Sequence, residues 1–362
     1  MGIQDRIKEI ENEMARTQRN KKTEHHFGVM KARLAKLKQD LLIPKSIISK
    51  TDTFEVMKDG DARVSLIGFP SVGKSTLLSK ITSTESKAAE YEFTTLTCVA
   101  GKLNYNGTNI QILDLPGIIC GASQGIGRGK QVIGVARTAD LILIVLDPLR
   151  LSDKKVLENE LYSMGIRLNK NKPDISLTIT QSGGININFL IKQTNLTEPT
   201  VTGILKEYKI NNCIMIVRED VTDDDIIDIL TNRAVYVPCL FCYNKIDNLT
   251  LQELENLNLD ENSFALSSQR DWNLEELKEE IWYRLGIKRV YTKRKGCFPD
   301  LNLPVILRKS CTVKDFCKNI HRDFVDNFKF ALIWGASAKH NPQKVGLNHE
   351  LCDEDVVRVY TI

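Results

Sequence analysis

One stretch constrains this chain more than any other: Gly68-Phe-Pro-Ser-Val-Gly73-Lys74-Ser75. It has the spacing G-x-x-x-x-G-K-[ST] and stands between an apolar run, ARVSLIGF from Ala62, and a helix-forming run, KSTLLSKIT. A strand that ends in a glycine-rich turn and enters a helix aims backbone N–H groups and the positive helix end at one point. That geometry holds phosphate. Gly68 and Gly73 let the loop close, Pro70, Ser71 and Val72 fill it, and Thr76 continues the first helical turn. Lys74 is expected to reach the β- and γ-phosphates, and the Ser75 hydroxyl to bind Mg²⁺.

The fold class follows from the same region. NIQILDLPG, LILIVLD from Leu141 and CLFCYNKID near residue 240 are further apolar runs separated by helical patterns. Alternating strands and helices predict an α/β domain with a parallel-rich sheet covered on both faces. The 127 residues from Gly117 to Asn244 far exceed the roughly 30 of a βαβ unit, so an inserted domain is expected. SLTIT, GGININF and helical spacing near 200–208 and 222–231 make that insert a small α+β module. The division read from the sequence is 1–60, a helical region; 61–167 with 234–289, the phosphate-binding domain; 168–233, the insert; and 290–362, a separate C-terminal α+β domain.

Within the first region, Ile3, Ile7, Ile10 and Met14 form one apolar stripe and Met30, Leu34, Leu37 and Leu41 another. They predict a helical hairpin that turns in TQRNKKTEHH and stops before Pro44. Charge is uneven. Residues 1–50 carry 12 Lys/Arg against 6 Asp/Glu, net +6; residues 291–362 carry 12 against 8, net +4; residues 151–240 carry 10 against 12, net −2. Basic ends either touch a polyanion or are simply solvated, and charge alone favours neither. No apolar run of about 18 residues exists, and the first residues, charged from Asp5, do not read as a leader; Arg6 spoils a myristoylation site. No membrane contact is therefore expected. The nine cysteines are scattered singly except Cys239 and Cys242. On a strand those two point to opposite faces, and no nearby histidine completes a zinc site; reduced cytosolic core thiols are the expectation.

Three more motifs follow the phosphate loop in order. Asp114-Leu-Pro-Gly117 places a carboxylate to hold Mg²⁺ through water and a glycine N–H to sense the γ-phosphate. Asn244-Lys-Ile-Asp247 closes a buried strand. A carboxylate there accepts guanine N1–H and N2–H₂, a donor pair that adenine lacks. Asn244 orients the loop and the Lys245 stem covers the ring. Ser267-Ser268 offers a backbone N–H to guanine O6. In Tyr91-Glu-Phe-Thr94-Thr95 a threonine hydroxyl either completes the magnesium shell or belongs to a β-prone surface loop. Gly117, Gly121, Gly125, Gly127 and Gly129 mark a switch-like loop. Ile118 stands where a water-orienting glutamine would be, and its side chain accepts no hydrogen bond from water.

The whole chain resembles the developmentally regulated GTP-binding proteins (the DRG family), relatives of the Obg GTPases. The resemblance rests on EMARTQRNKKTEHHFGVMKARLAKLKQDL, GDARVSLIGFPSVGKSTLL, AAEYEFTTLTCVAGKL, DLPGII, GRGKQVIGVARTADLILIVLD, GGININF, VPCLFCYNKID and WGASAKHNPQKVG. The hairpin string is closer to the first of two eukaryotic subfamilies. The resemblance implies an N-terminal helix-turn-helix region, a GTPase domain, an inserted S5D2-like domain and a C-terminal TGS domain. It implies a cytoplasmic protein on translating ribosomes and rRNA, a DRG-family regulatory protein as partner, and no DNA. It selects Thr95 as the switch threonine, so that Lys74, Thr95 and Gly117 become the catalytic set and Ser75, Thr95 and Asp114 the Mg²⁺ set. It also implies K⁺, although Ser71 stands where many potassium-activated GTPases have asparagine. Cys120 replaces the family's usual glutamate. The expected function is a slow, glutamine-independent GTPase switch aided by K⁺ and a partner. The competing function is an RNA- or ribosome-binding scaffold that binds GTP and barely hydrolyses it. An ATP-using enzyme is disfavoured by Asn244 and Asp247.

Overall fold

The computed structural model describes residues 3–18, 20, 23–42, 60–82, 99–114, 136–194, 196–232, 234–257, 259–308 and 310–361. Thr95, Gly117, Ile118, Cys120 and the glycine-dense loop lie outside them.

The chain opens with helices α1 (Ile3–Arg16) and α2 (Glu24–Leu42). Then come β1 (Ala62–Ile67), α3 (Lys74–Ile81), β2 (Val99–Tyr105), β3 (Thr108–Asp114) and β4 (Leu141–Leu146). The next stretch holds α4 (Ser152–Ser163), β5 (Ile166–Leu168), β6 (Ile175–Ile179), β7 (Ile185–Phe189), α5 (Glu198–Glu207), β8 (Cys213–Val217), α6 (Asp223–Thr231) and β9 (Val235–Val237). It returns through β10 (Cys239–Tyr243), α7 (Leu251–Glu255), β11 (Ser263–Ala265) and α8 (Leu274–Leu285). The last part is β12 (Ile287–Thr292), β13 (Asp300–Arg308), α9 (Val313–Ile320), α10 (Asp323–Asp326), β14 (Phe328–Trp334), β15 (Gln343–Val345) and β16 (Val356–Thr361).

These elements form two compact units. One comprises the described residues of 56–116, 138–150 and 239–362. Its six-stranded sheet has the order β11-β10-β4-β1-β3-β2, parallel except for the edge strand β2. Every residue of β1, β4 and β10 is buried, as continuous apolar strands covered on both faces must be. Leu77, Leu78 and Ile81 of α3 and Leu277 and Ile281 of α8 supply the cover. Burial pushes the Cys242 thiol up to about 12, so it packs in this core as a neutral side chain. The same unit contains a five-stranded sheet, β13-β12-β16-β14-β15, with a separate core of Val290, Leu307, Phe316, Ala331 and Ile333. Thr312 and Asp315 close a capping box at the start of α9, satisfying backbone donors that the helix cannot.

The other unit comprises the described residues of 1–55, 117–137 and 151–238. Its three-stranded sheet, β6-β8-β7, packs against α5 and α6 through Val201, Ile204, Met215 and Ile226. The hairpin belongs to this unit. Ala32 of α2 joins the insert's core, and Gly28 approaches Thr200 so closely that a Cβ would lie 2.6 Å from its methyl carbon. Part of the hairpin's basic surplus is neutralised here. Lys31 pairs with Asp223 and Asp224, each at 3.1 Å, and Arg33 with Glu207 at 3.1 Å, whereas Lys38 pairs within the hairpin, with Glu11 at 3.0 Å. Burial pulls the Lys31 ammonium down, but Asp224 and Asp223 outweigh it and hold it above its usual value. Arg167 and Asp228, both buried, form a two-pronged pair at 2.6 and 2.7 Å, with the guanidinium 3.7 Å from the centre of the Tyr162 ring.

Candidate functional site

The strand registers bring the motif ends together. Leu66 pairs with Asp114, Ile67 with Ile144, Leu146 with Tyr243, and Tyr243 with Ala265. The loops after β1, β3, β4, β10 and β11 therefore leave the same edge of the six-stranded sheet. In open α/β sheets this carboxyl-terminal edge is where ligands bind.

The phosphate loop is tightly built. A Cβ on Gly68 would lie 2.4 Å from the Val145 carbonyl oxygen. Gly73 caps α3 at φ +95°, and a Cβ there would lie 2.4 Å from Asn244 Nδ2. Neither position admits another residue. Ser71 also sits in the left-handed region, at φ +66°. Val72 is buried, while Pro70 and Thr76 face solvent. Lys74 Nζ donates to the carbonyl oxygens of Gly68 at 2.9 Å and Phe69 at 3.0 Å, so its charge lies over the loop. Burial pushes this ammonium below its usual value, and Asp114 opposes the shift. Ser75 Oγ donates to Asp114 Oδ2 at 2.8 Å, which sets a hydroxyl and a carboxylate side by side at the end of β3. Two hard oxygen donors from separate elements suit a small divalent cation.

The second half of the site is a set of ties to the first. The Asn244 side chain is fully buried. Its Nδ2 donates to the Val72 carbonyl at 2.9 Å, and its Oδ1 accepts from the Ser268 N–H at 3.0 Å. One amide thus joins the phosphate loop to the loop after β11. Lys245, at φ +65°, donates to the Ser71 carbonyl at 2.7 Å and pairs with Asp147 Oδ2 at 3.2 Å. Ser267 Oγ donates to Asp247 Oδ1 at 2.6 Å and accepts from the Arg270 N–H at 3.2 Å, so it aims the carboxylate. The structure gives both serine N–H groups acceptors within the chain: Asn244 for Ser268, and the Trp272 carbonyl, at 3.3 Å, for Ser267.

Gly68, Pro70, Ser71, Val72, Gly73, Lys74, Ser75, Thr76, Asp114, Asn244, Lys245, Asp247, Ser267 and Ser268 thus converge, whereas Thr95 and Gly117 fall outside the described residues. Sequence reasoning missed Asp147. Its signal was available: it directly follows LILIVL, as Asn244 directly follows the neighbouring strand CLFCY.

Comparison with known proteins agrees with this geometry. Residues 63–181 match a family described as 50S ribosome-binding GTPase, 182–287 the C-terminal region of that domain, and 288–361 a TGS domain. The chain is 51% identical over 361 residues to developmentally-regulated GTP-binding protein 2 of Homo sapiens, covering 99% of both chains. The chain belongs to the developmentally regulated GTP-binding protein family. Protein 1 of Xenopus laevis is equally similar, 51% over 362 residues with 99% of both covered, and the Dictyostelium discoideum protein 2 homolog is 50% identical with the same coverage. Overall identity thus gives neither numbered group an advantage. As a member of the DRG family, the chain carries a P-loop GTPase domain, its extension and a C-terminal TGS domain.

Proposed function

We propose that this chain is a GTP-hydrolysing switch that works on translating ribosomes in the cytoplasm. The observation that carries the reading is the tie through Asn244, which makes the phosphate half and the base half of the site one rigid body. Asp247, aimed by Ser267, receives guanine N1–H and N2–H₂. Lys245 covers the base while its ammonium stays anchored on Ser71 and Asp147. Lys74 exchanges the Gly68 and Phe69 carbonyls for β- and γ-phosphate oxygens and neutralises charge that grows in the transition state. Ser75, Thr95 and Asp114 would hold Mg²⁺, and the Gly117 N–H would read the γ-phosphate. Bound Mg²⁺ supplies charge neutralisation at the phosphates.

Ile118 has no atom to orient water, so intrinsic hydrolysis is slow. K⁺ and a DRG-family regulatory protein supply what the side chain does not. Ser71 offers one hydroxyl oxygen in the loop, and its left-handed backbone is a conformation that asparagine also adopts readily. The proposed division of labour is residues 1–60 as a helix-turn-helix region, 61–167 with 234–289 as the GTPase domain, 168–233 as an S5D2-like insert, and 290–362 as the TGS domain. Ribosome and rRNA contacts belong to the parts outside the GTPase domain.

The test is single-turnover GTP hydrolysis by the purified chain at matched ionic strength, in KCl and then in NaCl. Faster hydrolysis in KCl supports the reading. Tight GTP binding without hydrolysis in either salt overturns it in favour of a nucleotide-binding scaffold. A Lys74→Ala chain that stays on ribosomes as well as the parent does would sink the switch.

A further inference from the structure

Three segments of the C-terminal domain meet at one carbonyl group. Thr312, at the start of α9, forms an antiparallel bridge with Glu350. One step along, the Leu351 N–H donates to the Cys311 carbonyl at 2.9 Å. The Leu351 carbonyl in turn receives two donors. Cys311 Sγ lies 3.8 Å from its oxygen, and Lys288 Nζ, from β12, lies 2.7 Å from it. That carbonyl belongs to the peptide that leads into Cys352. The backbone beyond it is also held. The Cys352 N–H donates to the buried Asp355 carboxylate at 2.7 Å, and residues 353 and 354 turn, with Glu354 at φ +64°.

This arrangement sets two thiols beside each other. Leu351 stands opposite Cys311, and Cys352 is one position further, so their Cα atoms lie within about 7 Å by ladder geometry. Bond lengths put Cys311 Sγ no more than about 7 Å from Cys352 Cα. A disulfide spans Cα separations of up to about 7 Å. The two thiols differ in access: Cys311 is buried and Cys352 only half so. Burial holds the Cys311 thiol above its usual value, the Lys288 ammonium opposes that, and Asp315 and Cys352 add to it. Burial acts alone on Cys317, along α9, and pushes it up to about 11. Cys311 thus differs from its buried neighbour in having a cation bonded to the same oxygen as its own sulfur, and a nearby cation favours the thiolate.

We propose that Cys311 and Cys352 are an oxidation site, closing a disulfide when the chain meets a hydroperoxide. The half-exposed Cys352 thiolate attacks the O–O bond. That bond breaks, an S–O bond forms, and the sulfenic acid is left as an alcohol departs, or water where the oxidant is hydrogen peroxide. Cys311, losing its proton beside Lys288, attacks the oxidised sulfur. The S–S bond forms, the S–O bond breaks and water leaves. Two electrons pass from the pair to the peroxide, and the two thiol protons end in the two departing molecules. A thiol reductant reverses the reaction by exchange. The bond joins the residue before the Thr312 cap of α9 to the turn before β16. It therefore pins α9 over the face of the five-stranded sheet that Val313, Phe316 and Cys317 cover. It uses no residue of the nucleotide site, so it does not rest on the function proposed above.

The test uses the full chain, reduced and then treated with hydrogen peroxide. Intact mass is expected to fall by about 2 Da, the two hydrogens lost on closing one disulfide. Peptide mapping without reductant should join the Cys311 peptide to the Cys352 peptide, and dithiothreitol should restore the parent mass. Cys352→Ser should leave Cys311 unoxidised. Cys311→Ser should strand the sulfenic acid on Cys352, raising its labelling by dimedone at least tenfold. In the bonded chain the α9 amides should exchange at least tenfold more slowly, since a cross-link restricts the opened state. GTP affinity should hold. A bond that maps to another cysteine pair overturns the proposal, as does one that joins two chains or survives in Cys352→Ser. So does an unchanged mass at peroxide doses that oxidise the exposed Cys297. Cys352 is partly open to solvent, so Cys352→Ser keeps the test decisive even if Cys311→Ser fails to fold. Unchanged α9 exchange in the bonded chain overturns the pinning.

Discussion

The six-stranded and five-stranded sheets, which share one unit, solve the same packing problem differently. In the six-stranded sheet β1, β4 and β10 read ARVSLI, LILIVL and CLFCY and are buried at every position. Such strands have no face left to work with, so chemistry is displaced to the loops at their carboxyl ends. In the five-stranded sheet β14 reads FKFALIW, with Ala331 and Ile333 buried and Phe330, Leu332 and Trp334 only partly so. Strands with one covered face leave the other partly open. A doubly covered sheet therefore has only its edge to work from. Changes at that edge should abolish a specific chemistry.

The largest effect is expected where the edge recognises the base. Asp247→Asn replaces an acceptor with a donor facing guanine N2–H₂, leaving buried polar groups mismatched. GTP affinity should fall by roughly 10⁴. Xanthosine triphosphate, which presents an oxygen at that position, should recover most of it. Equilibrium binding of both nucleotides checks this, and a variant that keeps GTP would remove Asp247 from the site. Next comes Lys74→Ala, which removes a positive charge aimed at the terminal phosphates. Single-turnover hydrolysis at saturating GTP should slow by about 10²-fold or more. A drop confined to affinity, with the rate constant intact, would make Lys74 a binding residue only.

Asn244→Ala sharpens the comparison because it is both structure and site. The substitution orphans the Val72 carbonyl and the Ser268 N–H, both drawn together by one buried amide. About 2–6 kcal/mol of stability should be lost, at about 1–3 kcal/mol for each of the two stranded buried groups. Denaturant melts read the loss, and nucleotide should restore part of it by mass action. In the other unit, Asp228→Ala leaves the buried Arg167 guanidinium uncompensated, at a cost of about 3–5 kcal/mol. GTP affinity should nevertheless hold in the folded protein. A parallel loss of nucleotide binding would show that the two units are energetically one.

How much of this was legible beforehand depends on what kind of signal each feature leaves. The phosphate loop, Asp114 and Asn244 to Asp247 announce themselves because the required residue types and spacings are rare in combination. The parallel direction of the main strands needed only the rule that apolar strands separated by helices lie parallel; their order did not follow from it. The insert's central strand was missed. CIMIV is five residues long and sits between helical patterns, where an apolar run has no period that distinguishes strand from helix. The basic surplus at the N-terminus was legible as a number but not as a surface, since Lys31 and Arg33 meet acids almost two hundred residues away in sequence. The roles within Ser267-Ser268 were blurred for a similar reason. The motif names the loop, but only the folded chain shows that one hydroxyl orients Asp247 while the neighbouring N–H serves Asn244. The last sheet was half legible. The alternation in β14 and β16 could be read, whereas the pairing of Phe330 with Tyr360 depends on register.

The smallest effect tests the one residue of the edge that no motif names. Asp147 shares the Lys245 ammonium with the Ser71 carbonyl, and the pair is partly open to solvent. Such ion pairs contribute about 0.2–1 kcal/mol. Asp147→Asn should therefore speed GDP release by only about two- to fivefold, with the hydrolysis step unaltered. Release measured in rising salt gives the sharper reading. If Asp147 acts by holding Lys245 over the loop, parent and variant should converge as the pair is screened. A gap that persists in high salt would mean that the carboxylate acts through its other bond, from the Leu149 N–H, and shapes the loop after β4.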